Sequence, residues 1–482
     1  MIALLLLIPF LLGLATFFIK RQWVSQTSLL ITAFAHSALT LGSWLFPSLR
    51  TFNHWLYLDD IGLLFLSITS LLFLCCAIYG LQYLKHETRS PRKAAITISC
   101  LLFFLATMTL VILSQHLELL WVAIEATTLA SAPLIYFHRS QHSLEATWKY
   151  LMIGSVGIAL ALLGNFFFAV SAIQPSGSEM HLSLFISALL EKASFLQVPW
   201  VHAAFIFYVV GYGTKMGLAP LHSWLPDAHS ESPSFVSALL SGSLLNCAFL
   251  GILRAYQVCV ATGQAAFAQN ILLGFGMLSL VFATIFILKQ RDYKRMLAYS
   301  SVEHMGILSL SVGLGGSALF GGMLHAINHS CTKAMLFLIS GNILHVYKSK
   351  TSKDVLGVLQ VLPFSGALWL IGFFAITGSP PFGTFISEFI ILKSGFEQGH
   401  PFISVFMLLF LAMIFIGMIS LFLKMSHGTP PEPLQKQKIE DPFWSFFPSI
   451  VLILIVIALG ITLPSFINHH LHSIATLLGE SP

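Results

Sequence analysis

The chain alternates long apolar runs with short polar connectors. About fourteen runs reach the length that crosses a bilayer: 2–19, 27–46, 58–84, 94–114, 117–137, 145–172, 201–220, 233–257, 269–289, 297–315, 318–346, 361–397 (interrupted), 402–424 and 444–467. None shows the strict alternation of a lipid-facing strand, which excludes a barrel. The pattern predicts an all-α polytopic membrane protein. The first run lacks a basic segment before it and is followed by Lys20 and Arg21, as expected of a retained first span rather than a cleaved signal peptide.

Charge then orients the spans. Seventeen of the 24 Lys and Arg residues lie in loops after odd-numbered runs, against Arg50, Lys192 and, at the end of the eighth run, Arg254 on the even-numbered side; Lys149, Lys215, Lys333 and Lys393 lie inside runs. By the positive-inside rule both termini face outward and the basic loops are cytoplasmic. The longest polar stretches, Gln174–Glu179 and His427–Pro442, are too short for a soluble domain, and the second reads as a cytoplasmic loop.

Two runs are broken. The seventh is interrupted at Gly217–Pro220 near Lys215, and the twelfth at Gly378–Gly383 near Glu388. Interrupted helices in corresponding positions of two halves point to repeats around a central ion path. Five spans per half make the repeats inverted. The expected organisation is three helices in 1–93, a first repeat in 94–257 (helices 4–8), a second in 269–424 (helices 9–13), and a loop with the last helix in 425–482.

A charge at membrane depth costs about 2.5–3.5 kcal/mol on insertion scales, which makes the intramembrane polar residues functional candidates. Glu125 lies mid-run among Thr127, Thr128 and Ser131. It is either a proton-binding carboxylate or a neutral acid that fixes helix contacts. Lys215 is its natural partner. A buried ammonium that loses its carboxylate holds its proton less tightly, so a pair that opens and closes switches proton affinity; the alternative is a static ion pair. His325, His329 and Lys333 recur every four residues on one broad helix face. They read as a hydrated proton relay or as ordinary hydrogen-bonded core residues. No carboxylate or thiolate is arranged with the two histidines, so no metal is expected. Glu388, just past the second break, reads as a terminal carboxylate passing a proton outward, or as a group pairing near the helix end.

His222, Asp227, His229 and Glu231 sit at the expected cytoplasmic mouth, where they either feed protons inward or frame the loop around Trp224 and Pro226. Glu303 and His304 rank below these, because the start of their helix is uncertain from the sequence. Glu145 and Lys149 form an i,i+4 interfacial pair, and Lys393 reads as a snorkelling residue.

Composition narrows the class. The chain is 56% hydrophobic and 9% charged, with a mean hydropathy of +0.85, against about 25% charged in soluble proteins. The net charge of +5 is scattered over short loops and does not suggest nucleic acid. The six cysteines lie in apolar runs without a CxxC, so neither a redox centre nor another cofactor is expected.

The runs KMGLAPLHSWLPDAHSESPS, RDYKRMLAYSSVEHMG and WVAIEATTLASAPLIY resemble the antiporter-like membrane subunits of respiratory complex I, multi-subunit cation/proton antiporters and membrane-bound hydrogenases. The resemblance runs from about the third span to the thirteenth. It implies a fourteen-helix fold with two inverted five-helix repeats and a hydrated axis. By that pattern Glu125, Lys215, Lys333 and Glu388 match the fifth-, seventh-, eleventh- and twelfth-helix relay positions, whereas Asn246 stands where many members carry a lysine. The stretch from Ala123 to Leu151 looks closest to the hydrogenase-4-type branch. That branch implies a bacterial inner membrane, neighbouring antiporter-like subunits and a soluble nickel–iron hydrogenase or related redox module as partners. Three functions follow: proton translocation in a redox-driven complex, Na⁺/H⁺ antiport without redox coupling, or a structural arm whose transport is lost at Asn246.

Overall fold

The computed structural model describes residues 1–19, 21–87, 90–173, 184–435 and 440–480. The expected stretch Gln174–Glu179 lies outside these residues. The described residues are almost entirely helical, with only isolated bridges such as Thr51–Tyr57 between extended residues.

The helices, in chain order, are α1 Ile2–Ile19, α2 Gln22–Leu45, α3 Asp60–Glu87, α4 Pro91–Leu113, α5 Leu117–Ile135 and α6 Gln141–Ser171. The interrupted α7 comprises α7a Val198–Met216 and α7b Trp224–Glu231. There follow α8 Ser234–Ala261, α9 Ala265–Leu288, α10 Tyr293–Leu314 and α11 Ser317–Tyr347. The second interrupted helix comprises α12a Pro363–Ile376 and α12b Gly383–Glu397. The last are α13 Pro401–Ser426, α14 Phe443–Ile461 and α15 Ser465–Leu477.

Ten of the described helices are long and apolar enough to cross a membrane. The four expected spans outside that set are α7a, α10, α11 and the two short halves of α12. These are the helices that carry Lys215, Glu303, Lys333 and Glu388. They give up apolar side chains for polar ones because the other helices enclose them: Lys215, Glu303, His304, His325, His329, Lys333 and Glu388 are all buried. Ten is what length and apolarity establish, and fourteen remains the expectation from the sequence.

Both breaks are built alike. At the first, Gly217 adopts φ +86° and the Leu218 N–H returns to Gly213 O. At the second, Gly378 adopts φ +62° and the Ser379 N–H returns to Phe374 O. A left-handed glycine with this long return bond is a standard helix stop, and an L side chain there is disfavoured. In each break a proline after a cis peptide, Pro220 or Pro381, stands three residues beyond the glycine.

Helix α8 is wholly enclosed, and a π-helical turn at Leu240–Leu244 interrupts its regular bonding. It lies against α11, the other central helix, which also packs against α10, α12b and α14. Helices α6 and α7a meet closely because glycines line the seam: a Cβ on Gly157 would lie 2.7 Å from Thr214 Cβ, and one on Gly211 2.6 Å from the Ala161 backbone nitrogen.

One expectation is corrected. The run 444–467 ends at Ile461, before Pro464, and a separate helix, α15, follows and packs against α11 and α3. The sequence NHHLHS is too polar for a span, but with Leu471, Ile474 and Ala475 on its buried side it lies on the bundle. Ser473 of α15 donates to Asp60 at 2.8 Å.

Candidate functional site

Among the buried polar groups of the interior are two lysine stations and a histidine–glutamate cluster. In the first station Lys215 is fully buried in the last turn of α7a. Its ammonium donates to Thr128 Oγ1 of α5 and to the Tyr150 hydroxyl of α6, both at 2.8 Å, and lies 4.0 Å from the centroid of the Tyr150 ring. The Tyr150 hydroxyl continues to Ser131 Oγ at 2.6 Å. Gly154 leaves the space, since a Cβ there would stand 3.5 Å from the ammonium.

Glu125, one helical turn before Thr128, is not ion-paired with Lys215. One of its oxygens accepts from Ser155 Oγ at 2.8 Å and the other is buried without a partner. The expected pair is therefore open in this conformation, with the lysine parked on hydroxyls beside a waiting carboxylate.

The second station repeats these parts. Lys333 of α11 is fully buried and donates to Leu297 O at 2.6 Å and Ser300 Oγ at 2.5 Å, both on α10. Glu303 lies one turn from Ser300, is 2% exposed, and also keeps one oxygen buried without a partner. The helix start that the sequence left uncertain is at Tyr293, so Glu303 and His304 both sit in mid-helix.

At the far end, His304 Nδ1 meets His325 Nε2 at 2.9 Å, and His325 Nδ1 meets Ser387 Oγ at 3.0 Å. The Ser387 hydroxyl donates to Thr384 O at 2.9 Å. Its oxygen must then accept from His325 Nδ1–H, so His325 Nε2 carries a lone pair and His304 Nδ1 donates to it. The His329 ring lies 4.9 Å from that of His304, tilted by 33°, with both ring nitrogens unpartnered. Glu388 closes the row with an unpartnered Oε1 and borders a cavity of about 550 Å³ beside the Gly378–Pro380 break.

Asn246 joins the halves. Its amide nitrogen donates to Gly242 O in the π turn and to Ser330 Oγ on α11, both at 2.8 Å. Ser330 is the residue after His329, so neutral hydrogen bonds link α8 to α11 here. A π turn frees backbone carbonyls for such side-chain bonds.

The four residues expected at the cytoplasmic mouth do not act as one group. Asp227 is paired with Lys149 at 2.9 Å and with Arg295, and Glu231 with Lys350 at 2.8 Å. Both border a polar cavity of about 320 Å³ with Glu145 and Asp292. His229 instead points inward, fully buried, stacked 5.1 Å from Phe337 and within electrostatic range of Lys333. His222 sits apart among Phe282, Phe286 and Tyr299. Glu145 and Lys149 pair at 2.6 Å as expected, but Lys149 also reaches Asp227. Lys393 pairs with Glu397 at 3.3 Å on the exposed surface.

Sequence reasoning passed over Tyr150, Ser155, Ser300 and Ser387. A tyrosine or serine in an apolar run is too common to signal anything until the lysine or histidine it meets is known.

The fold and the buried row define a class: helical membrane carriers with charged groups strung through a closed interior. Residues 114–427 match the family described as NADH:quinone oxidoreductase/Mrp antiporter, TM, and the chain belongs to that family. It is an antiporter-like membrane protein of the kind that works inside larger assemblies. It is 37% identical over 414 residues to a hydrogenase-4 component F homolog of Methylacidiphilum infernorum (isolate V4), covering 84% of this chain and 85% of that protein. It is 29% identical over 360 residues to a Na(+)/H(+) antiporter subunit of Alkalihalophilus pseudofirmus, covering 71% of this chain but 43% of that longer protein. Its fold is similar to a chain in the structure of an archaeal membrane-bound sulfane sulfur reductase, with a TM-score of 0.87, 19% identity and coverage of 99% of this chain and 98% of that one.

Proposed function

We propose that the chain translocates protons as one membrane subunit of a redox-driven complex of the hydrogenase-4 type. The observation that carries this reading is the pair of matching stations. In each, a buried lysine is held by a hydroxyl one turn from a glutamate that keeps one oxygen free. Swinging Lys215 from Thr128 and Tyr150 to Glu125 raises its hold on a proton, and swinging back lowers it. The same exchange operates between Lys333 and Glu303. Protons pass from the polar cavity at Asp227 and Glu231 toward Lys215. The Asn246–Ser330 bridge leads to Lys333, and His329, His304 and His325 lead to Glu388. His229, beside Lys333, offers a second route inward. Water completes the gaps between these groups.

The two interrupted helices, built alike at their glycine breaks, support two inverted repeats, 94–257 and 269–424, around this row. The neighbours are other antiporter-like membrane subunits, and a soluble redox module supplies the energy. The basic loops face the cytoplasm of a bacterial inner membrane.

Glu125→Gln in the intact complex, reconstituted in liposomes, is expected to abolish proton uptake by this subunit while the complex still assembles. Unchanged uptake would sink the reading. A second reading, Na⁺/H⁺ antiport without redox coupling, is favoured by the likeness to an antiporter subunit. It wins if transport requires Na⁺ and proceeds with no electron donor.

A further inference from the structure

The histidine–glutamate end has a geometry that a proton wire does not require. Ligand atoms of His304, His325 and Glu388 all lie within 4.8 Å of one another, and all three residues are buried. We propose that they form a binding site for a divalent transition ion of the Zn²⁺ class, and that the ion blocks the relay at this end.

Three features support the assignment. The first is the donor set. Two imidazoles and one carboxylate are a known zinc combination that leaves a fourth position for water. Imidazole nitrogens favour Zn²⁺ over Na⁺, Mg²⁺ or Ca²⁺, which prefer oxygen. The second is orientation. His325 Nδ1–H is fixed on Ser387 Oγ, which aims the Nε2 lone pair at His304. A ligating histidine almost always has its other nitrogen held in this way. His304 becomes a ligand by moving its proton from Nδ1 to Nε2. The third is the free carboxylate oxygen: Glu388 Oε1 is unpartnered although the residue is 6% exposed.

Zinc bonds of about 2.0–2.1 Å in a tetrahedron place ligand atoms roughly 3.3 Å apart. The two imidazole nitrogens, at 2.9 Å, must separate slightly, and the carboxylate must close in by up to about 1.5 Å. The cavity beside Gly378–Pro380 borders Glu388. Glu303 adds a second carboxylate within electrostatic range of Glu388, while Lys333 near His304 opposes the ion. The ion replaces the proton shared by the two histidines and occupies the carboxylate that receives it, so transport and metal binding exclude each other.

The test is equilibrium binding of ⁶⁵Zn²⁺ to the intact, metal-stripped complex, with X-ray absorption at the zinc edge. The readout needs no transport, so a failed site leaves the transport reading untouched. The wild-type complex should hold one tight equivalent more than His304→Gln, with two imidazoles in the zinc shell. Ser387→Ala keeps every ligand and should weaken binding about 10- to 100-fold. His472→Gln, on the terminal helix, should change nothing. Equal zinc binding in wild type and an assembled His304→Gln, or loss of the tight equivalent in His472→Gln instead, overturns the proposal.

Discussion

Removing the Tyr150 hydroxyl tests whether the parked position of Lys215 matters. Tyr150→Phe keeps the ring under the ammonium and deletes one of its two hydrogen-bond acceptors. A hydrogen bond to a charged group contributes about 1.5–3 kcal/mol. The balance between the parked and Glu125-paired positions should shift by that amount, about 10- to 100-fold toward the pair. Adding Thr128→Val removes the second acceptor and should leave Lys215 almost permanently paired. Helix contacts change little, because both replacements keep the shape of the side chain. Proton uptake by liposomes containing the intact complex, read with a pH-sensitive dye, should fall in Tyr150→Phe and fall further in the double variant, with normal assembly on native gels. If the double variant pumps at the wild-type rate, the lysine does not move between two partners and the switch is wrong.

Other consequences follow from the same geometry. Glu303→Gln should abolish transport as fully as Glu125→Gln while the complex assembles; wild-type pumping would remove the second station. Gly211→Ala drives a methyl into the α6 backbone and should cost about 1–3 kcal/mol, seen as poor complex yield. Gly154→Ala meets only the ammonium and Thr128 at ordinary contact distance, and should assemble normally yet pump more slowly. Arg254→Ala strands Asp59, which Arg254 grips through two hydrogen bonds of 2.5 and 2.8 Å. Breaking such a pair costs about 3–5 kcal/mol, measurable as a lower melting temperature in detergent. Burial alone would raise the Asp59 carboxyl, one residue ahead of α3, but the Arg254 guanidinium and the Gly62 N–H hold it below the usual range. A carboxyl depressed on folding stabilises above its unfolded pKa of about 3.9 and loses that contribution as pH falls through the folded value. The melting temperature should therefore drop below about pH 4, and less so in Arg254→Ala.

How much of this was legible in the sequence differs from residue to residue. The helical membrane class and both broken helices were readable, because apolar length and the glycine–proline interruptions are local signals. Lys215, Lys333, Glu125 and Glu388 stood out because charges are rare at membrane depth. Glu303 was equally visible but ranked lower because the start of α10 was uncertain from the sequence. The partners of the lysines were not readable, since Thr128, Tyr150 and Ser300 matter only through distances between helices. The same holds for the cluster of His304, His325 and Glu388, drawn from three helices. The sequence spacing put His325 and His329 on one helix face, whereas the short contact of His325 is with His304 on another helix. Helix α15 was missed because its apolar side is only a few residues wide.

The central claim is that protons cross through the two lysine stations. Its most direct test is the number of protons moved per electron transferred by the reconstituted complex carrying Lys215→Ala or Lys333→Ala. The account predicts that each variant lowers this ratio by the share this protein carries, and that the two together lower it no further. A ratio equal to that of the wild type in either variant, with the complex intact, would contradict it.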